Sequence, residues 1–191
     1  MKIDAASIIK TYGTQRALDE LSLAVPDGTR CLALIGPSGG GKSTLLRHLG
    51  GLEIPDAGTV VVNDHALPRD ESSLRQIRRR NGFLFQGYNL FPHLSALENI
   101  TLPLVQVQGK SPTEAREIAS QNLTRFGLAP HAGKFPQQLS GGQQQRVALI
   151  RSYVAAPEIL FLDEPTAALD PEMTVEVLEF VQELRDRKSV V

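Results

Sequence analysis

The sequence predicts an α/β fold built on a mainly parallel sheet, and three observations predict it. Two short apolar runs, residues 31–35 and Ile159–Leu162, are continuous rather than alternating, as strands buried on both faces are. The first leads directly into a glycine-rich loop and then a helical pattern over Lys42–Leu49. Elsewhere strand-like and helix-like segments alternate, which implies parallel strands joined by helical crossovers.

The elements follow in order. Ile3, Ala5 and Ile8, then Leu18, Leu21, Leu23 and Val25, mark short strands, with alternation clearest from Leu21 to Val25. Pro26-Asp27-Gly28 is a turn. Cys31 opens the first continuous run and is expected as a small buried hydrophobe. Gly58 precedes the strand Thr59-Val60-Val61-Val62. Residues 70–80 form a polar helix whose end, Arg78-Arg79-Arg80, is expected to be solvated, its cations opposing the negative dipole end. Gly82-Phe83-Leu84-Phe85 is a strand ending at Gln86. From Gly87 to about Ala155 the pattern is helical. Ser111-Pro112-Thr113-Glu114 combines a cap, a first-turn proline and a third-position glutamate, and Gly127 stops that helix. Ser140 to Gln143 repeats the capping pattern with glutamine in the glutamate role. Ile159–Leu162 is the second buried strand. Asp170-Pro171 opens a last helix with an expected apolar stripe of Val175, Leu178, Val181, Gln182 and Leu184.

Composition narrows the function classes. The 191 residues suit one domain with a subdomain. Twenty basic and 21 acidic residues, net charge -1, give no electrostatic reason to expect nucleic acid. A single cysteine excludes a disulfide framework and fits a reducing compartment. The start lacks a signal-peptide pattern. No window approaches the ~20 apolar residues of a spanning helix, so a membrane role is expected to come through a partner. The four histidines lie far apart without ligand spacing.

The chemistry concentrates in three places. Gly36-Pro37-Ser38-Gly39-Gly40-Gly41-Lys42-Ser43 matches G-x-x-x-x-G-K-S after a strand and before a helix. Its glycines let backbone N–H groups converge on phosphate oxygens, and the helix start adds a positive dipole end. Lys42 is expected to bridge β- and γ-phosphates and Ser43 to ligate magnesium, with Thr44 beside it. Asp163-Glu164 follows the second apolar run, which puts carboxylates at the C-terminal edge of a sheet. Asp163 suits magnesium, and Glu164 suits orienting or deprotonating a water. Leu139-Ser140-Gly141-Gly142-Gln143 is a capped helix N-terminus, a second anion site that one nucleotide does not obviously need.

Taken in order along essentially the whole chain, these motifs resemble those of the nucleotide-binding subunits of ATP-binding cassette (ABC) transporters. The resemblance implies a P-loop NTPase fold in one domain, residues 1–191, with an N-terminal antiparallel β subdomain and a helical subdomain inserted at about 87–155. It implies ATP and Mg2+. Residues 139–143 match the family signature, continued by Gln144-Gln145-Arg146. Gln86 matches a glutamine that contacts magnesium and water and senses the transmembrane partner, Tyr12 an aromatic that stacks on adenine, and Ala168-Leu169-Asp170 a loop that meets the opposite subunit. The expected catalytic set is Glu164, Lys42 and Gln86. The nucleotide set is Tyr12, Gly36, Pro37, Ser38, Gly39, Gly40, Gly41, Lys42, Ser43, Thr44, Ser140, Gly141, Gly142 and Gln143. The metal set is Ser43, Gln86 and Asp163. Two subunits are implied to pair head to tail, so that Ser140 of one serves the γ-phosphate held by the other. Permease subunits and, indirectly, a solute-binding protein are the implied partners, at the cytoplasmic face of the cell's inner membrane.

Gly87-Tyr88-Asn89-Leu90-Phe91-Pro92-His93-Leu94, Leu169-Asp170-Pro171-Glu172 and the glutamines at 143–145 look most like importers of polar amino acids. Alternatives are an exporter or lipoprotein-release ATPase, a soluble cassette ATPase of repair or translation, and a module that binds ATP without efficient hydrolysis. The last is motivated by the end at Ser189-Val190-Val191, where the family continues into a strand and a histidine that contacts the γ-phosphate. The expectation is a C-terminally truncated chain.

Overall fold

The computed structural model describes residues 1–166, 171–187 and 189–191. They divide into two units, Met1–Asn81 with Leu184–Val191, and Gly82–Glu183. The loop Ala168-Leu169-Asp170 lies outside the described residues.

The first unit carries a four-stranded antiparallel sheet in the order β2-β1-β3-β4, with β1 (Ile3–Tyr12), β2 (Gln15–Val25), β3 (Ala57–Val62) and β4 (His65–Ala66). Ile3 stands opposite Val25 and Val62, and Ala5 opposite Leu23 and Val60. The alternation then breaks at Ser7, which has φ 49°. The register shifts there, so the buried positions run Ile3, Ala5, Ile8 rather than on to residue 7. Gly58 on β3 passes this bulge, and a Cβ on it would lie 2.4 Å from the Ser7 carbonyl oxygen, so no other residue fits.

Helix α1 (Lys42–Leu49) buries Leu45, Leu46, His48 and Leu49. Helix α2 (Glu71–Arg80) is capped by Asp70, whose carboxylate accepts from the Ser73 N–H at 2.9 Å. Arg79 and Arg80 are exposed, as expected of a solvated basic end, and Arg78 alone departs from it. Its Nε donates to the Gly51 carbonyl at 2.7 Å and its Nη1 to Glu71 at 2.7 Å, which ties the helix to the turn after α1.

Residues 31–35 also depart from expectation. Cys31 forms a parallel bridge with Val190 of β7 (Ser189–Val190), flanked by hydrogen bonds from Leu32 N–H to Val190 O and from Val190 N–H to Arg30 O. Beyond Leu32 the segment is not a strand, Cys31 is exposed, and Ile35 is 94% exposed. A continuous apolar run becomes a doubly buried strand only where neighbours pair with it and cover it on both sides. Among the described residues of this unit, the ladder to Val190 reaches only from Arg30 to Leu32.

In the second unit β5 (Asn81–Leu84) lies beside β6 (Ile159–Leu162), and all four β6 residues are buried. Phe83 stacks on Phe161 with centroids 5.2 Å apart. Between the strands come α3 (Ala96–Gln106), α4 (Pro112–Arg125) and α5 (Gly141–Val154), and α6 (Pro171–Arg187) follows β6. Each of α3, α4 and α5 starts with a complete capping box, Ser95 with Glu98, Ser111 with Glu114, and Ser140 with Gln143. Helix α5 buries Val147, Ala148, Leu149 and Ile150.

Helix α6 buries a different face from the expected one. Val175 and Leu178 are 55% and 47% exposed and Gln182 is exposed, while Val177 and Phe180 are buried. Aromatic packing decides this. The Phe180 ring lies 4.9 Å from Phe126 and 4.6 Å from Tyr153, with the Arg125 guanidinium 5.0 Å from its centroid.

Candidate functional site

The glycine loop belongs to the first unit. Gly41 is the N-cap of α1 with φ 78°, and it contributes no side-chain cap. A Cβ there would sit 2.6 Å from the Ala17 carbonyl oxygen, so the loop closes against β2 only with glycine. Gly41 thus leaves the start of α1 without a side-chain cap of its own, where the positive dipole end favours an anion. Lys42 Nζ donates to the Gly36 and Pro37 carbonyls at 2.9 and 2.7 Å, which holds the ammonium over the same loop. Cβ positions built on Gly36 and Gly39 meet nothing within 4 Å, so the loop presents open space there. This donor set, with one cation and no carboxylate among residues 36–44, suits a polyphosphate. Tyr12 ends β1 as an exposed residue, 44% accessible, with its hydroxyl donating to Glu53. Burial and that hydrogen bond push its phenol above the ordinary value.

The acidic site belongs to the second unit. Asp163 N–H donates to the Leu84 carbonyl at 2.9 Å, which extends the β5–β6 pairing just past β6. Glu164 has φ 51°, and this left-handed turn sends its side chain to Gln86, whose Nε2 donates to Glu164 Oε2 at 2.9 Å. Both residues are exposed. An amide in this place fixes the carboxylate without adding a counter-charge.

Three further residues support this geometry; Arg151 and Asn99 were missed from sequence, and Gln145 was read only as part of the continued signature. Arg151 on α5 donates to the Tyr88 and Asn89 carbonyls at 2.8 Å each, and its guanidinium lies 5.7 Å from the Phe91 ring centroid. Burial pushes its guanidinium down to about 10, which leaves it charged at neutral pH. Asn99 on α3, fully buried, accepts from Phe91 N–H and donates to the Phe91, Leu94 and Ser95 carbonyls. Gln145 on α5, also buried, donates to the Pro165 carbonyl one residue after Glu164. For Asn99 and Arg151 the detectable signal was a polar residue within a largely apolar helical stretch.

The signature segment lies at the exposed N-terminus of α5 in the same unit. Ser140 Oγ accepts from Gln143 N–H at 3.3 Å, and Gln143 Oε1 accepts from Ser140 N–H at 3.0 Å. Because Ser140 Oγ acts as an acceptor there, its own hydroxyl hydrogen remains free to donate. Gly141 and Gly142 form the first turn with their N–H groups directed out of the helix end. Arg146 donates to the Phe126 carbonyl at 2.9 Å and anchors the helix behind this terminus.

Comparison with known proteins agrees with these features. The family profile described as ABC transporter matches residues 18–167. The chain is 43% identical over 195 residues to the L-cystine transport system ATP-binding protein TcyN of Escherichia coli (strain K12), covering 99% of this chain and 78% of that protein. It is 44% identical over 182 residues to the glutamate/aspartate import ATP-binding protein GltL of the same organism, covering 95% and 75%. Among solved structures it matches the dimeric post-hydrolysis state of the ATP-binding cassette MJ0796 bound to ADP and Pi, with TM-score 0.91 and 38% identity over 99% of this chain and 86% of that one. The extent of these matches, on a chain whose glycine loop, acidic strand end and capped α5 terminus have the geometry above, establishes that the protein belongs to the ABC transporter family as an ATP-binding subunit.

Proposed function

We propose that this chain binds and hydrolyses ATP to energise import of a polar amino acid through membrane permease subunits, working as a head-to-tail pair of ATP-binding subunits. The observation that carries the reading is the hydrogen bond from Gln86 to Glu164, which holds a carboxylate in place for a water without neutralising it. The glycine loop and Lys42 bind the β- and γ-phosphates, and Tyr12 offers its ring to adenine. Glu164 accepts the proton of the water that attacks the γ-phosphorus, while the bond to the β–γ bridging oxygen breaks and ADP leaves with its electron pair. Ser43, Asp163 and Gln86 are the residues that would hold magnesium, each offering an oxygen of the kind it prefers. When bound, the ion neutralises phosphate charge. Ser140, Gly141 and Gly142 serve the γ-phosphate held by the second subunit, with Gln143 fixing Ser140. Residues 87–155 act as a helical subdomain within one cassette over 1–191. No helix among the described residues is long and apolar enough to cross a membrane. By its likeness to transport ATP-binding subunits, the chain works at the cytoplasmic face of the inner membrane through permease partners and, indirectly, a solute-binding protein. Amino acid import rests on the names of TcyN and GltL.

Glu164→Gln tests the reading. It keeps ATP affinity and prolongs the ATP-bound dimer, while turnover falls by roughly 10²–10⁴. Lys42→Ala weakens ATP binding itself. Normal hydrolysis by Glu164→Gln, or unchanged affinity in Lys42→Ala, refutes the assigned roles.

A further inference from the structure

His131 lies outside every role assigned above, yet its ring contacts the signature. It ends a short 3-10 turn, Ala129–His131, and its backbone is held at both sides, N–H to Leu128 O and O to Lys134 N–H, each at 2.9 Å. Its Nε2 lies 3.1 Å from Gln143 Nε2, and its Nδ1 is buried with no hydrogen-bond partner.

Donor and acceptor roles follow from one fixed point. The Ser140 backbone N–H can only donate, so the Gln143 atom facing it at 3.0 Å must be the carbonyl oxygen. The Gln143 amide nitrogen then faces His131, and it too can only donate. His131 Nε2 must therefore accept, which places the ring proton on the unpartnered Nδ1. If Nε2 carried the proton, two donors would meet. Relieving that conflict by turning the Gln143 amide would set its NH2 against the Ser140 N–H and open the capping box.

We infer that His131 is a positioning residue, which in its Nδ1–H form fixes the Gln143 amide and through it the orientation of Ser140 toward the second subunit's nucleotide. This rests on the reading of the α5 terminus as a site for a γ-phosphate held by another copy. The chain of contacts is Ser140 N–H to Gln143 Oε1, then Gln143 Nε2–H to His131 Nε2. A hydrophobic side chain at 131 would fill the space without specifying the amide, and a lysine would present only donors.

Two measurements test it. Nitrogen NMR of ¹⁵N-histidine in the unsubstituted full chain reports the tautomer directly. The expected form is Nδ1–H, and an Nε2–H form overturns the inference whatever dimerisation does. In the Glu164→Gln background, sedimentation then reads ATP-driven dimerisation. His131→Leu and His131→Lys are expected to raise the dimer dissociation constant about tenfold, the order of one lost N-cap, while His131→Gln, which keeps an acceptor, brings it back to within about threefold. ATP affinity of the single chain stays unchanged in all three. In a Gln143→Ala background His131→Leu has no further effect. A residual effect there, or no weakening by His131→Leu where Ser140→Ala does weaken the dimer, overturns the inference alone. Ser140→Ala with undiminished dimerisation instead overturns the reading of the α5 terminus.

Discussion

Replacing Arg151 isolates what holds the segment after Gln86 in place. Tyr88 and Asn89 are consecutive non-glycine residues at φ 59° and 47°. Left-handed backbone costs an ordinary L-residue roughly 1–2 kcal/mol and asparagine less, so the pair stores about 2 kcal/mol. Arg151 opposes this strain with one bond to each of the two carbonyls, both at 2.8 Å. A hydrogen bond from a charged donor contributes about 1.5–3 kcal/mol, and partial exposure places these at the low end, about 3 kcal/mol together. Arg151→Met removes both bonds and keeps the apolar stem. Local opening of the loop should rise about 150-fold, the equivalent of 3 kcal/mol, and about tenfold in Arg151→Lys if one bond survives. Hydrogen exchange at the Tyr88 amide, which donates to Phe85 O at 2.9 Å, reads that opening. Unchanged exchange in Arg151→Met would refute the reasoning. So would equal exchange in the two variants, because the two-carbonyl geometry would then carry nothing beyond charge.

Two further outcomes follow from the same coordinates. A Cβ on Gly82 would lie 2.1 Å from the Ser152 carbonyl oxygen and 2.9 Å from Leu160 and Pro157 atoms, so Gly82→Ala must displace backbone. At the upper end of overpacking, about 3 kcal/mol, the thermal midpoint should fall by roughly 6–12 °C, whereas Gly133→Ala, with nothing within 4 Å, should leave it nearly unchanged; equal midpoints in a calorimeter would contradict this. The Asp70 cap predicts a pH effect: hydrogen bonds from Ser72 and Ser73 hold its carboxyl at about 2, below the ordinary 3.8. The depressed folded value means its contribution is complete above the ordinary value and is lost as pH falls toward 2. Asp70→Asn caps without titrating, so urea midpoints of parent and variant should converge between about pH 4 and 2, and a pH-independent difference would count against the cap.

Local chemistry was legible in the sequence, and long-range cover was not. The starts of α4 and α5 could be read because a cap and its partner lie three residues apart. The glycine loop could be read because its residue types act on their own backbone, and the Asp163-Glu164 strand end because it directly follows the apolar run Ile159–Leu162. The burial of residues 31–35 could not, because it depends on which strands lie alongside. The face of α6 was misread because Val175 and Leu178 are spaced three residues apart, as Val177 and Phe180 are; only the distant Phe126 and Tyr153 rings distinguish the two sets. Arg151 and its carbonyls are separated by 62 and 63 residues, a relation no local pattern encodes.

Gln145 and Arg151 explain how the pieces of the second unit act together. Helix α5 starts at the Ser140 cap, places Gln145 against the Pro165 carbonyl beside Glu164, and places Arg151 against the carbonyls that follow Gln86. At 1.5 Å per residue these anchor points span about 16 Å of one continuous helix. Its buried middle, Val147 to Ile150, gives that helix a single packed position. Displacing α5 therefore either breaks charge-assisted and buried hydrogen bonds or carries the Gln86 loop and the Glu164 turn with it. Breaking them leaves a buried Gln145 and a half-buried Arg151 unpaired, which is the more expensive course. One helix thus joins the Ser140 terminus to the backbone next to both partners of the Gln86–Glu164 hydrogen bond, 2.9 Å long at the site proposed for water activation.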